Sequence, residues 1–205
     1  MVLKDSPIRT AADLKGHSIA VNRGSIGHAL VLAVAAAQGW ASSDYKIANL
    51  LPAEAKSALT AGAVDAWCSW GVYVAEGQLV DGLRVVVDGG HGLLTGLSYL
   101  VAADDAIANR RGPLLDFCRR LAVGRRWAQT HPDDYARVLA AEIGVTQAVA
   151  RRVFDTETPV PIPIDDRVVA DEQLTADLYF HARIIPARLD AGSLFDRSFN
   201  GALSG

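Results

Sequence analysis

Cysteine is scarce in this chain: two in 205 residues, Cys68 and Cys118, far apart and outside any CxxC or Cys/His spacing. That excludes a zinc finger or ribbon, and no metal site is expected. The two read as buried free thiols rather than as one disulfide. Long apolar runs are also missing, so nothing here reaches the roughly 20 residues of a spanning helix. The start, "MVLKDSPIRT", lacks a basic segment followed by an apolar one, and as written it carries no export signal. Neither sign of charge dominates: 20 Lys and Arg stand against 23 Asp and Glu. The basic residues scatter, apart from pairs such as Arg110-Arg111 and Arg151-Arg152, and leave no broad face for nucleic acid. There is no nucleophile elbow, no paired carboxylate motif and no HExxH, so no catalytic residue and no cofactor is assigned. Internal repeats and low-complexity tracts are lacking too.

What is present is apolar material, 50% of the chain, enough for one sizeable core or two small lobes. From residue 14 to about 88 strand-like and helix-like stretches alternate. "HSIAVN" (17–22), "YKIANL" (45–50), "VDAWCSW" (64–70) and "GLRVVVDGG" (82–90) read as strands. "SIGHALVLAVAAAQGW" (25–40) reads as a helix capped by Ser25 and stopped by Gly39, and "AEAKSALTAG" (53–62) as a shorter one ended by Gly62. Such alternation over short loops predicts an α/β unit with a parallel sheet. The glycines of "GGHGLLTG" suit a crossover. After one more strand at 96–103 the chain turns helical: about 104–130 with an irregularity at Gly112-Pro113, a helix from Pro132, one over 146–154, and one from Asp165 or Asp166 to about 183. Between the last two, "TPVPIPID" (158–165) must be extended, because its prolines forbid helix.

Two stretches carry chemistry. In "NRGSIGH" a strand ends and a glycine turn opens a helix, so unpaired amides and the helix dipole favour an anion there. Ser25 and His28 can point donors at the same place. On spacing alone the same residues also read as a plain capped helix with an exposed histidine. In "VDAWCSWG" Asp65, Trp67 and Ser69 share one strand face, and Ala66, Cys68 and Trp70 the other. Trp67 reads as core. Trp70, at the strand's carboxyl end, reads equally as packing or as the wall of a pocket at the same sheet edge as Ser25.

Together, "SPIRTAADLKGHSIAVNRGSIGHALVLAVAAAQGW", "LPAEAKSALTAGAVDAWCSW" and the tail "TPVPIPIDDRVVADEQLTADLYFHARIIP", with Gln173 and Asp177, resemble the solute-binding proteins of ABC importers for aliphatic sulfonates, taurine and nitrate. The resemblance implies a periplasmic-binding-protein type II-like α/β fold that closes on a small organic anion, a permease as partner, a periplasmic location and a monomer. It points to Gly24, Ser25 and His28 at the glycine-serine turn and to Asp65, Trp67 and Trp70 on the strand bordering the cleft. After the second tryptophan "GVYV" stands where the family carries a proline. It also implies an N-terminally truncated chain: residues 1–8 a linker remnant, 9–91 the second lobe, and 92–205 the returning part of an incomplete first lobe with an exposed apolar surface. Alternatives on the same scaffold are a desulfinase-like or pyrimidine-precursor-synthesising enzyme, with Cys68 or His28 reactive, and the effector-sensing domain of a transcriptional regulator.

Overall fold

The computed structural model of the chain describes residues 1–157 and 159–203. Thr158, at the head of the expected extended stretch, and the last two residues of the 92–205 segment lie outside the described residues. The chain divides into two compact units, Met1–Gly96 with Leu174–Leu189, and Leu97–Gln173 with Asp190–Gly205.

The first unit is built on a three-stranded parallel sheet. Strand β1 (Ser18–Val21) lies between β2 (Lys46–Asn49) and β3 (Ala66–Trp67), with Ile19 opposite both Ile47 and Ala66. Ile19, Ala20 and Val21 are all buried, as a central parallel strand covered on both faces requires. Helix α1 (Ile26–Ala37) joins β1 to β2, and α2 (Pro52–Thr60) joins β2 to β3. Alternation along β1 sorts the core into two layers. Ile19 and Val21 pack with Val31 of α1. Ala20 packs with Trp67 and with Ala55 and Leu59 of α2. The two helices therefore cover opposite faces, and a side chain such as Leu59, almost wholly buried, contributes about 1.5–3 kcal/mol.

Local chemistry sets the helix ends. Gly39 and Gly62 adopt positive φ of 66° and 70° just beyond α1 and α2, a conformation that glycine enters without steric cost. Pro52 opens α2, and the Glu54 carboxylate accepts the Leu51 N–H at 3.0 Å.

Three expected strands are corrected. The strand at 64–70 is confined to Ala66–Trp67, and Gly71–Leu79, unassigned from sequence, forms helix α3. The run 82–90 is not a strand: among the described residues its single pairing is the antiparallel bridge between Arg84 and Val2, with 2.9 Å bonds in both directions. Residues 96–103 form no strand either, because no ladder partner lies beside them among the described residues; Leu100 and Val101 are exposed. β-branched and aromatic content marks a segment fit for a sheet, but a ladder neighbour decides whether it becomes a strand. The cysteines are free, and each is half-buried rather than fully buried.

The second unit is helical. Helix α4 (Asp104–Asn109) is followed by α5 (Arg111–Thr130), α6 (Pro132–Ile143), α7 (Gln147–Thr156) and α8 (Asp166–His181), whose residues from Leu174 onward belong to the first unit. The expected irregularity falls at Arg110, upstream of Gly112-Pro113. Pro113 has no N–H to give to Asn109 and its ring crowds that carbonyl, so one continuous helix would break there. Interrupting it at Arg110 leaves Pro113 in the first turn of α5. Helices α6 and α7 pack through Tyr135 against Phe154, ring centres 5.2 Å apart. Gly144, at φ 72°, ends α6, and the Thr146 hydroxyl caps α7 by accepting the Val149 N–H.

Candidate functional site at the carboxyl rim of the sheet

The turn from β1 into α1 is organised around a histidine. Gly24, at φ 73°, supplies the left-handed residue of the turn and points its N–H at Nδ1 of His28, 3.1 Å away. Ser25 is extended (φ −87°, ψ 167°), and its hydroxyl accepts the His28 N–H at 3.3 Å as the N-cap. The Ser25 carbonyl accepts twice, from Ala29 N–H at 3.0 Å and from the Tyr179 hydroxyl of α8 at 2.7 Å. The amides of Ile26 and Gly27 have no backbone acceptor among the described residues, and they open the positive end of a twelve-residue helix.

His28 is only 1% exposed. Burial, reinforced by the Arg23 guanidinium, holds its pKa below the ordinary value. Since Nδ1 accepts from Gly24, the neutral ring carries its proton on Nε2. That Nε2 is buried without a partner, as is the hydroxyl of Ser69.

Ser69 follows β3, the neighbour of β1, and so lies beyond the carboxyl end of its strand as Ser25 does beyond its own. Gly27 brings the two segments together: a methyl on its Cα would lie 2.8 Å from the Cys68 carbonyl oxygen and 3.2 Å from Ser69 N. Trp70 comes next, extended and half-buried, its ring edge-on to Tyr73 at 5.6 Å. Open parallel sheets collect ligands at this rim.

The structure thus brings Gly24, Ser25 and His28 into one turn and sets Trp70 one strand away on the same rim. It does not bring Asp65 or Trp67 there. Asp65 precedes β3, at the opposite end of the sheet, where its carboxylate accepts Ser18 N–H at 2.8 Å and Ser18 O–H at 2.7 Å and faces His17 Nδ1 at 3.3 Å. Those bonds, Ser18's first, hold its pKa below the ordinary carboxylate range. Trp67 is core, 2% exposed, its backbone paired with that of Met1. A strand of two residues separates the rims, so neighbours in sequence stand at different ends of the sheet. His28 is not the exposed side chain of a plain capped helix. Gln173 accepts the Ala191 N–H at 2.9 Å, and Asp177 pairs with Arg188 through both oxygens, at 2.8 and 2.9 Å.

Two residues of the rim escaped the sequence reading. Tyr179 is 154 positions from Ser25 and no local pattern links them. Ser69 had a signal, since strand alternation put it on the face of Asp65 and Trp67, next in sequence to Trp70, but nothing in that pattern marks a buried unpaired hydroxyl. Burial raises the pKa of the Cys68 thiol, which disfavours the thiolate a nucleophile needs. Among the described residues no group of three His, Cys, Asp or Glu is placed to hold a metal ion, and no helix is long and apolar enough to cross a membrane.

A parallel sheet covered on both faces, with the Ile26 and Gly27 amides and a buried unpartnered histidine nitrogen at its carboxyl rim, defines the class of this protein as α/β. The chain matches the NMT1/THI5-like family over residues 1–135 and belongs to it. It is 34% identical, over 93% of its length, to an aliphatic sulfonates-binding protein of Escherichia coli, of which it spans 60%. Its fold is that of the periplasmic aliphatic sulphonate-binding protein SsuA from Escherichia coli, with a TM-score of 0.82, 31% identity, and coverage of 95% of this chain and 63% of that one. The alkanesulfonate-binding protein SsuA from Xanthomonas axonopodis pv. citri, solved with MOPS bound, superposes with a TM-score of 0.81 at 30% identity, covering 94% of this chain and 67% of that one.

Proposed function

We propose that this chain captures a small organic oxyanion, an aliphatic sulfonate, as the substrate-binding component of an ABC-type importer, working in the periplasm with a membrane permease. One observation carries the reading: His28, in the first turn of the helix whose Ile26 and Gly27 amides have no backbone acceptor, has a buried Nε2 with no partner. Buried donors are nearly always satisfied, and a bound oxygen acceptor satisfies Nε2. The Arg23 guanidinium adds positive charge close to His28. Gly24 and Ser25 shape the seat and Trp70 borders it, while nothing in it requires bond making. The printed names of the relatives, each a sulfonate-binding protein, support the same ligand class. In the lobe assignment that goes with this reading, residues 9–91 form the second lobe and 92–205 the returning part of the first. The first compact unit contains 9–91 whole and adds 1–8, whose Val2 and Ile8 are in its core, 92–96 and Leu174–Leu189.

Isothermal titration calorimetry of the 205-residue chain with ethanesulfonate, taurine and nitrate tests the reading. Saturable heat with a sulfonate is expected; no saturable heat with any of the three overturns it.

A further inference from the structure

A buried polar side-chain atom without a partner is rare in a native fold, and each one asks for an explanation. Among the described residues four such atoms occur, and two of them, His28 Nε2 and Ser69 Oγ, belong to the same rim. The others are Arg84 Nε, on a side chain that already donates to the Ser6 and Ile8 carbonyls, and the Tyr99 hydroxyl in the second unit. His28 and Ser69 sit on touching pieces of backbone. Gly27, the residue before His28, approaches the Cys68–Ser69 peptide so closely that even a methyl group would collide with it.

We infer that Ser69 is a ligand-binding residue whose hydroxyl donates to the oxyanion that His28 Nε2–H and the α1 amides also meet. This rests on the anion-seat reading above and adds a residue that neither the glycine-serine turn nor the tryptophan pair supplies. It also sharpens the ligand class. Donors from the start of α1 reach the head group from one strand end, and the Ser69 hydroxyl reaches it from the neighbouring one. A head group with three oxygens arranged tetrahedrally, R–SO3⁻, offers an acceptor in each direction. A planar carboxylate offers two acceptors in one plane.

The test is calorimetry with ethanesulfonate and propionate on the native chain, Ser69→Ala and Ser69→Thr, together with thermal unfolding of each without ligand. Ser69→Ala is expected to raise the Kd for ethanesulfonate about tenfold or more, the loss of a hydrogen bond to a charged group. Its unfolding temperature stays equal or rises, because an unsatisfied hydroxyl has been removed. Ser69→Thr, which keeps the hydroxyl, restores the Kd to within about threefold, and the native chain prefers ethanesulfonate to propionate. Native binding that Ser69→Ala leaves within about twofold overturns the role of Ser69 while the seat stands. Loss of binding together with stability, with no rescue by threonine, overturns it as well. A native chain that gives no saturable heat overturns the seat and this inference together.

Discussion

The ring nitrogen Nδ1 of His28 accepts the amide N–H of Gly24 at 3.1 Å, and this bond decides which nitrogen of a buried imidazole keeps the proton. A second proton would have to go on Nδ1, setting two donors against each other inside the turn. Together with burial and the nearby Arg23, this resists protonation.

The consequence for stability has a definite sign. The folded chain holds a proton on His28 less readily than the unfolded chain, whose histidine titrates near about 6.5. As pH falls below that value the unfolded state takes up the proton first, so stability is full above it and is lost on acidification. Unfolding temperature, followed by circular dichroism from pH 8 to 5, should fall below about pH 6.5. His28→Gln keeps an N–H near the Nε2 position but does not titrate, and it should flatten that part of the profile. Equal slopes in the two proteins would rule out His28 as the cause.

Gly27→Ala tests how the two segments of the rim are held. Alanine is the better helix former by about 1 kcal/mol, and at an open position it would stabilise α1. Here its methyl would meet the Cys68 carbonyl oxygen at 2.8 Å, which is backbone and cannot swing aside. Overpacking of this kind costs about 1–3 kcal/mol, so the net effect is destabilising. Separating α1 from β3 also parts His28 from Ser69. Chemical denaturation should show a lower midpoint and calorimetry a weakened sulfonate. A variant as stable as the native chain would mean that the close approach is not needed.

Asp65 gives the opposite pattern, since it staples the far rim. Asp65→Asn weakens the bonds from Ser18 and the attraction to His17, at about 1 kcal/mol once its exposure is allowed for. Because its folded pKa is depressed, the carboxylate's contribution is present above the unfolded value of about 3.9 and is lost as pH falls through the folded one. Ligand affinity should not change. A large rise in Kd from Asp65→Asn in calorimetry would return this residue to the binding site.

These outcomes bear on what the sequence made legible. The three parallel strands, the α1 cap at Ser25 and the stop at Gly39 are written in short-range chemistry: apolar runs, a hydroxyl before a helix, a glycine after one. Arg84 and Leu100 sit in stretches that look equally strand-like, yet pairing depends on a neighbour that the stretch itself does not encode. The same limit applies to the site. A serine, a histidine four residues after a glycine and a helix start can be found in the sequence. That Tyr179 reaches the Ser25 carbonyl, or that Asp65 and Trp70 fall at opposite ends of a two-residue strand, follows from strand length and long-range packing.

Cys68 decides between capture and chemistry on this scaffold. Its thiol borders a small apolar cavity lined by Leu30, Val31, Val34 and Trp40. Burial raises its pKa, while the charge on the Met1 amino group and a hydrogen bond from the Ser69 amide pull the other way. With the pKa raised, the thiol stays protonated at neutral pH, and the thiol is far less nucleophilic than the thiolate. Alkylation by iodoacetamide at pH 7, read at Cys68 by peptide mass spectrometry, should be at least about tenfold slower in the folded chain than in denaturant. Cys68→Ser places a hydroxyl against apolar side chains and should cost about 1–3 kcal/mol while leaving sulfonate binding in place. An aromatic sulfinate should not be turned over by either protein. Rapid alkylation of the native thiol would overturn the protected-thiol reading, and sulfinate turnover abolished by Cys68→Ser would make this an enzyme and remove the case for capture alone.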